Sequence, residues 1–186
     1  DTAFRLGPAS IFPPADRHVY LDAASVGLSH KGGAAAISAW QNALAEEGTI
    51  AFDEQAEVEC LDNLNAATAR LFNATVDDIA VASSETVLMQ SLAWAVMPEA
   101  GSKIIATDIT HPSTIYPWIR VADHTGAEVH WVRADETQSI DPDALEAAID
   151  DATSVVCLSQ VEYGTGQKYD LKRFAEKAHR HGAILV

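Results

Sequence analysis

Short apolar runs alternate with helical segments over most of the chain, and this alternation constrains the fold more than any other feature of the sequence. Each apolar run has four or five residues. Each helical segment between two runs is long enough to carry the chain back across a sheet, so that the next strand can run parallel to the previous one. The sequence therefore predicts an α/β fold with a mainly parallel sheet and helices on both faces. The predicted strands are 79–82, 103–107, 128–132, 155–159 and 183–186.

Apolar residues that recur every three or four positions predict the helices. In the segment 52–72, this period indicates one amphipathic helix of about five turns. An Ala-rich helix is expected from Lys31 to Gly48. Asp141 and Pro142 form a typical helix start, and Gly182 a typical helix end. The other predicted helices are one that ends at Val96, then 112–124, 142–149 and 171–181.

The charge balance and the cysteines exclude several kinds of protein. Twelve basic against 27 acidic residues give a net charge of −15, which opposes binding to nucleic acid and to anionic membrane surfaces. The apolar runs are far shorter than the ~20 residues of a membrane span. Cys60 and Cys157 form no disulfide framework, and the histidines show no metal-binding pattern. We expect no metal, no nucleic-acid or membrane partner, and a cytoplasmic location.

Residues 1–19 contain three prolines and are predicted to form an irregular N-terminal arm. Residues 20–186 show no internal repeat and no linker, and they are expected to belong to one domain. The closing run 183–186 is typical of the start of a buried strand, where domains seldom end. We therefore expect the sequence to be part of a longer protein.

Polar loops follow three of the predicted strands at their carboxyl ends, where parallel sheets bind ligands. The loop at Ser83–Thr86 leads into a helix whose free N–H groups favour an anion, although Ser83 or Ser84 could simply cap that helix. His111 follows the strand 103–107, and a lone histidine is often a packed or solvated residue. Gly164 and Gly166 follow the strand 155–159, but they form only a weak dinucleotide motif.

These segments, taken in order, resemble the class V aminotransferase and cysteine desulfurase family, whose enzymes use pyridoxal 5′-phosphate (PLP). The sequence YLDAAS at Tyr20–Ser25 is similar to the family's YLDNAAT. Ile79–Gln90 resembles the strand, the SGTTEAxN turn and the helix that hold the cofactor phosphate. The resemblance implies that Ser84, Glu85 and Thr86 form the phosphate cup. In this chain, Ser84 replaces the family's glycine and Val87 its acidic residue.

Two further loops carry the resemblance. Residues 110–118, with His111 and the pair Pro117-Trp118, resemble the motif EHxxNxxPW, in which the histidine stacks on the pyridine ring of PLP. Residues 159–166 are similar to SHVSNxxG, with Tyr163 where the family has an asparagine. The form Tyr-x-Thr-Gly-Gln is closer to the kynureninase branch. The resemblance implies that His111 is catalytic and that His111 and Tyr163 bind the cofactor, although Tyr163 could merely pack.

The resemblance implies the N-terminal part of a fold-type-I PLP-binding large domain, with most of a mainly parallel seven-stranded sheet. It implies an enzyme that acts on an amino-acid substrate by transamination, or by C–S or C–C lyase chemistry. The family's cofactor aspartate and lysine lie beyond Val186, so we expect this chain alone to be inactive. A homodimer, or a second chain with the missing half, is the expected partner. The alternative is a non-catalytic module that binds phosphate or a nucleotide, or mediates interactions, through Ser83–Thr86.

Overall fold

The computed structural model describes residues 11–12 and 19–186. It divides the chain into two compact units, one that ends at Ile79 and one that runs from Ala80 to Val186. Most of the predicted arm 1–19 lies outside the described residues. All the candidate site residues belong to the second unit.

In the described part of the first unit there are three α-helices: α1 (Lys31–Glu47), α2 (Glu54–Glu59) and α3 (Asp62–Phe72). Helix α1 is confirmed, and Gly48 ends it with a φ of 56°. The single helix predicted over 52–72 is wrong, because the helix is interrupted at Cys60 and Leu61, between α2 and α3. Cys60 and Leu61 keep right-handed backbone angles across this break, so the apolar period continues through it and gives no sign of it.

Four parallel strands form the sheet of the second unit: β1 (Lys103–Thr107), β2 (Glu128–Val132), β3 (Thr153–Val156) and β4 (Ile184–Leu185). Their order is β2-β1-β3-β4, and Ile105 of β1 pairs with His130 of β2 and Val156 of β3. The predicted parallel sheet is confirmed. The predicted strand 79–82 is wrong, since this run pairs with no strand of the described chain. A short apolar run does not by itself specify a strand.

Helix α4 (Glu85–Val96) precedes β1, and three helices connect the four strands: α5 (Pro112–Thr125), α6 (Pro142–Ala148) and α7 (Leu171–Arg180). The predicted caps are confirmed. The Asp141 carboxylate accepts a hydrogen bond from the Asp143 N–H at 2.9 Å, and Gly182 follows α7 with a φ of 74°.

Helices cover both faces of the sheet, because alternate strand residues point in opposite directions. On one face, Ile104 and Val155 pack with the buried Trp118 of α5 and with residues of α4. On the other face, Ile105 packs with the buried Phe174 of α7 and with residues of α6. The predicted layers are therefore confirmed, and the loops after β1 and β3 emerge at the carboxyl edge of the sheet.

Candidate functional site

The loop before α4 ends in a capped helix start. Ser84 is the N-cap residue, and its hydroxyl oxygen accepts a hydrogen bond from the Val87 N–H at 3.3 Å. The Ser84 side chain therefore caps α4, which is one of the two roles expected from the sequence. The N–H groups of Glu85 and Thr86 lie in the first turn, where a helix provides no backbone acceptors. This turn can offer those two N–H groups and the Thr86 hydroxyl to an anion.

His111 occupies the equivalent position before α5, four residues after the end of β1. The Ser113 N–H points at its Nδ1, with the two nitrogens 3.2 Å apart, as at a helix N-cap, and Pro112 occupies the first helical position, where no N–H is needed. The imidazole is exposed to solvent. Its cap and its proline therefore hold His111 at the carboxyl edge of the sheet with a ring available to a ligand.

Tyr163 lies beside His111, on the loop that follows β3. The two ring centroids are 5.0 Å apart and the ring planes meet at 87°, an edge-to-face contact. The Glu162 N–H donates to the Gln167 carbonyl oxygen and the Gly166 N–H donates to the Glu162 carbonyl oxygen, which closes this loop, and Val161 pairs with Lys168 across its base. The loop is thus a closed hairpin-like turn rather than the glycine-rich start of a helix, and α7 begins only at Leu171.

Ser113 connects the two helix starts. Its hydroxyl donates a hydrogen bond to the Glu85 carboxylate, with Oγ and Oε2 2.6 Å apart, and the same Oγ lies 2.8 Å from His111 Nδ1. The structure therefore brings Glu85, Ser113, His111 and Tyr163 together. Sequence reasoning assigns no role to Ser113, because the residue stands at an unspecified position of the family motif. Thr86 and Ser113 also line a cavity of about 360 Å³, with Arg120 at its wall.

Glu162 is a buried carboxylic acid beneath this site, and sequence reasoning does not find it. Only 1% of the residue is exposed. Its Oε1 accepts hydrogen bonds from the Thr107 hydroxyl at 3.0 Å and the Tyr169 hydroxyl at 3.3 Å. Its Oε2 has no hydrogen-bond partner among the described residues. Burial raises the pKa of Glu162 above the ordinary glutamate value, and the two hydroxyl donors oppose this shift.

The two cysteines differ in their surroundings. Cys157 is buried behind the site, with Sγ 3.4 Å from the Thr114 carbonyl oxygen, whereas Cys60 is exposed. Burial, with a smaller effect of the Glu85 charge, raises the pKa of the Cys157 thiol to about 12. Cys157 is therefore a packed thiol rather than a nucleophile.

Two kinds of site find no support in the residues that the structure describes. Over 11–12 and 19–186, no group of three or more His, Cys, Asp or Glu side chains is placed to hold a metal ion. Within the same ranges, none of the helices has both the length and the apolar character needed to cross a membrane.

Comparison with known proteins gives one consistent relationship. The family model "Aminotransferase class-V" matches residues 19–186. A probable cysteine desulfurase of Methanothermobacter thermautotrophicus is 28% identical over 172 residues, which cover 91% of this chain and 42% of the relative. A probable cysteine desulfurase of Halalkalibacterium halodurans is 35% identical over 86 residues, or 46% of this chain and 21% of that protein.

Solved structures show the same fold. A mutant of C-DES, with glycine covalently linked to its PLP cofactor, superposes with a TM-score of 0.81 at 22% identity, covering 97% of this chain and 48% of that one. The cysteine desulfurase CsdA of Escherichia coli gives a TM-score of 0.73 at 27% identity, covering 95% and 46%. This chain therefore spans about half the length of these structures. Because the family model covers residues 19–186, the chain belongs to the class V aminotransferase family.

Proposed function

We propose that this chain holds PLP at the carboxyl edge of its sheet, as the cofactor-binding part of an enzyme that acts on an amino-acid substrate. The observation that carries the proposal is the convergence of three segments at that edge: the first turn of α4, His111 before α5, and Tyr163 after β3. The Glu85–Ser113 hydrogen bond and the His111–Tyr163 contact connect these segments. Membership in the class V aminotransferase family supports the proposal.

The donors at the start of α4 fit a phosphate group. The N–H groups of Glu85 and Thr86 and the Thr86 hydroxyl can donate hydrogen bonds, and the positive end of the helix dipole favours an anion. Ser84 holds this turn in place through its cap. Glu85 contributes its backbone N–H, because its carboxylate would repel a phosphate and is bonded to Ser113 instead.

The rings of His111 and Tyr163 fit the flat part of the cofactor. The exposed imidazole of His111 offers a stacking face, and Tyr163 supports that ring from the side. PLP supplies an electron-withdrawing ring that stabilises negative charge at the substrate Cα. In this proposal His111 orients that ring and can carry a proton, and Tyr163 offers a hydroxyl to the cofactor or substrate.

Two observations support a reaction class: the names of the similar proteins and the surroundings of the two cysteine thiols in this chain. Relatives are named cysteine desulfurases, and C-DES is described as a cystine C–S lyase in a solved complex with cysteine persulfide. We propose transamination, or C–S or C–C cleavage, of an amino acid. Cys157 takes no part as a nucleophile, because its thiol is buried and its pKa is raised to about 12.

The proposed enzyme needs residues from outside this chain, which a second copy or a further segment of polypeptide would supply. Exposed apolar side chains on α4 support such a partner, since large apolar surfaces mark contact sites; they are Val87, Leu88, Leu92 and Trp94. We also propose a cytoplasmic enzyme. The exposed free thiol of Cys60 supports a reducing compartment.

Binding of PLP and of pyridoxal, which lacks the phosphate, tests the proposed site. In the complete protein, Thr86→Val should weaken PLP binding by about tenfold, which is the loss expected for one hydrogen bond to a charged group. Pyridoxal binding should change little. Thr49→Val is the matched control, because Thr49 is an exposed threonine of the first unit. Absorbance titration gives each dissociation constant.

Two results would contradict this assignment. Equal losses for PLP and pyridoxal in Thr86→Val would place the phosphate elsewhere. Binding of inorganic phosphate without any binding of PLP would favour a non-catalytic phosphate-binding module. Product analysis of the complete enzyme with a panel of amino acids then separates transamination from C–S and C–C cleavage, because each yields different small products.

A further inference from the structure

A chain of three polar groups connects the start of α4 to the ring of His111. The Glu85 carboxylate, the Ser113 hydroxyl and His111 Nδ1 lie in sequence, with separations of 2.6 and 2.8 Å. Both distances are short enough for hydrogen bonds, and the first is typical of a hydroxyl bonded to a carboxylate. The family motifs that this chain resembles assign no role to the Ser113 side chain or to the Glu85 carboxylate.

Counting protons fixes how these groups bond. The two contacts require two hydrogen atoms, and the Ser113 hydroxyl supplies one. The other must come from the Glu85 carboxyl or from His111 Nδ1. A glutamate carboxylate has no hydrogen to donate and acts only as an acceptor. The hydroxyl therefore donates to Glu85, and a hydrogen bond at the second contact needs a proton on Nδ1, which Nδ1 donates to the hydroxyl.

A second contact at the same nitrogen opposes this arrangement. The Ser113 N–H also points at Nδ1, at 3.2 Å, and an N–H can only donate. This bond requires an unprotonated Nδ1, which would put the proton of a neutral imidazole on Nε2. The two arrangements exclude each other, so the balance between them decides which nitrogen of His111 is protonated. The contact between Nδ1 and the hydroxyl is shorter, at 2.8 against 3.2 Å, and its acceptor hydroxyl is polarised by its own bond to the Glu85 carboxylate, which makes it the stronger of the two.

We propose that Glu85 and Ser113 are positioning residues that hold the proton of neutral His111 on Nδ1 and leave Nε2 as the proton-accepting nitrogen. Neither residue touches the reacting atoms in this scheme. The proposal rests on the proposed function only for its catalytic consequence, since the tautomer is a property of the protein without cofactor.

The other polar groups near this chain of contacts have partners of their own. Asp108, on the loop before His111, accepts hydrogen bonds from the Ala134 N–H at 2.8 Å and from Arg133 at 3.4 Å. Tyr163 meets the His111 ring edge-to-face. The Cys157 thiol stays neutral, because its pKa is raised to about 12. Glu85 is thus the carboxylate that the described contacts connect to His111.

The side-chain nitrogen signals of His111 test the proposal directly. Two-dimensional NMR of the complete protein with ¹⁵N-labelled histidine, recorded without PLP and above the pH at which the ring is charged, distinguishes the tautomers. The signal that disappears in His111→Ala is assigned to this residue. The wild type should show a protonated Nδ1 and an unprotonated Nε2.

Ser113→Ala is the decisive variant, because alanine removes the hydroxyl and keeps the backbone N–H. The ratio of the Nδ1–H to the Nε2–H tautomer should fall by about tenfold or more. Ser113→Thr keeps the hydroxyl and should restore the wild-type ratio. Glu85→Gln keeps the acceptor oxygen and loses the charge, so the ratio should fall by about threefold to tenfold.

A wild-type ring protonated at Nε2, or a ratio unchanged in Ser113→Ala, would overturn the proposal. A shift in Ser113→Ala that Ser113→Thr reproduces would also overturn it, because the hydroxyl would then not be the cause. These outcomes are independent of cofactor binding. A protein with the expected tautomers that fails to bind PLP would refute the proposed function and leave the role of Glu85 and Ser113 intact.

Discussion

Replacing Glu162 by glutamine should change how the stability of the protein depends on pH. Glutamine has nearly the same shape and keeps an oxygen that can accept from the Thr107 and Tyr169 hydroxyls. It cannot ionise. The perturbation therefore removes one titrating group from the buried region beneath the site and leaves its packing almost unchanged.

The expected magnitude follows from the proton balance. Burial raises the native pKa of Glu162 above its unfolded value of about 4.3. Between those two pKa values the native protein holds a proton that the unfolded chain releases. The free energy of unfolding contributed by Glu162 therefore falls as pH rises, with a limiting slope of about 1.4 kcal/mol per pH unit. The loss continues until pH reaches the native pKa.

Urea unfolding of the complete protein at a series of pH values measures this difference. The wild type should lose stability relative to Glu162→Gln as pH rises above the unfolded pKa of about 4.3. Glu136→Gln, which replaces an exposed glutamate, is the matched control and should show no such trend. Asp150 contributes with the opposite sign, since its bond from Lys103 lowers its pKa, but it is present in all three proteins and cancels.

A stability difference that stays constant with pH would refute this reasoning. A wild type whose free energy of unfolding increases relative to that of the variant as pH rises would refute it more strongly, because Glu162 would then be a stabilised carboxylate with a lowered pKa. A ¹³C titration of the glutamate carboxyls, with the Glu162 signal assigned by its absence in Glu162→Gln, would show which of these applies.

Two further predictions concern single side chains of the protein. His111→Ala should weaken PLP binding by about twofold to tenfold, which is the cost of one aromatic contact, and should change the melting temperature little because the ring is exposed. A much lower melting temperature with normal turnover per folded molecule would make His111 a structural residue. Maleimide should label Cys60 in the native protein and spare Cys157, because Cys60 is exposed and the Cys157 thiol is buried and neutral. Peptide mass spectrometry identifies the labelled cysteine, and equal labelling of both would contradict the burial of Cys157.

The elements that could be predicted from sequence are those set by neighbouring residues. The strands Lys103–Thr107 and Glu128–Val132 have the predicted bounds, because each is a short run enclosed by turn or cap residues. The cap at Asp141 follows from the preference of that position for a short acceptor side chain. The packing of helices on both faces follows from the alternation of strands and helices.

The features that could not be predicted depend on tertiary contacts. Ser113 meets Glu85 across 28 positions of sequence, and Glu162 meets Thr107 across 55. Neither pair has a local pattern, so nothing in the neighbouring residues connects them. The break between α2 and α3 is hidden for the opposite reason, because the local apolar period continues across it. The run 79–82 has the composition of a strand, but composition does not specify a partner strand.

A crystal structure of the complete protein with PLP tests the central claim most directly. We expect the cofactor phosphate within hydrogen-bond distance of the Glu85 and Thr86 N–H groups, and the pyridine ring against the face of His111. We also expect the Glu85 carboxylate to remain bonded to the Ser113 hydroxyl. A phosphate bound away from the first turn of α4, or a ring that does not contact His111, would contradict the proposed site.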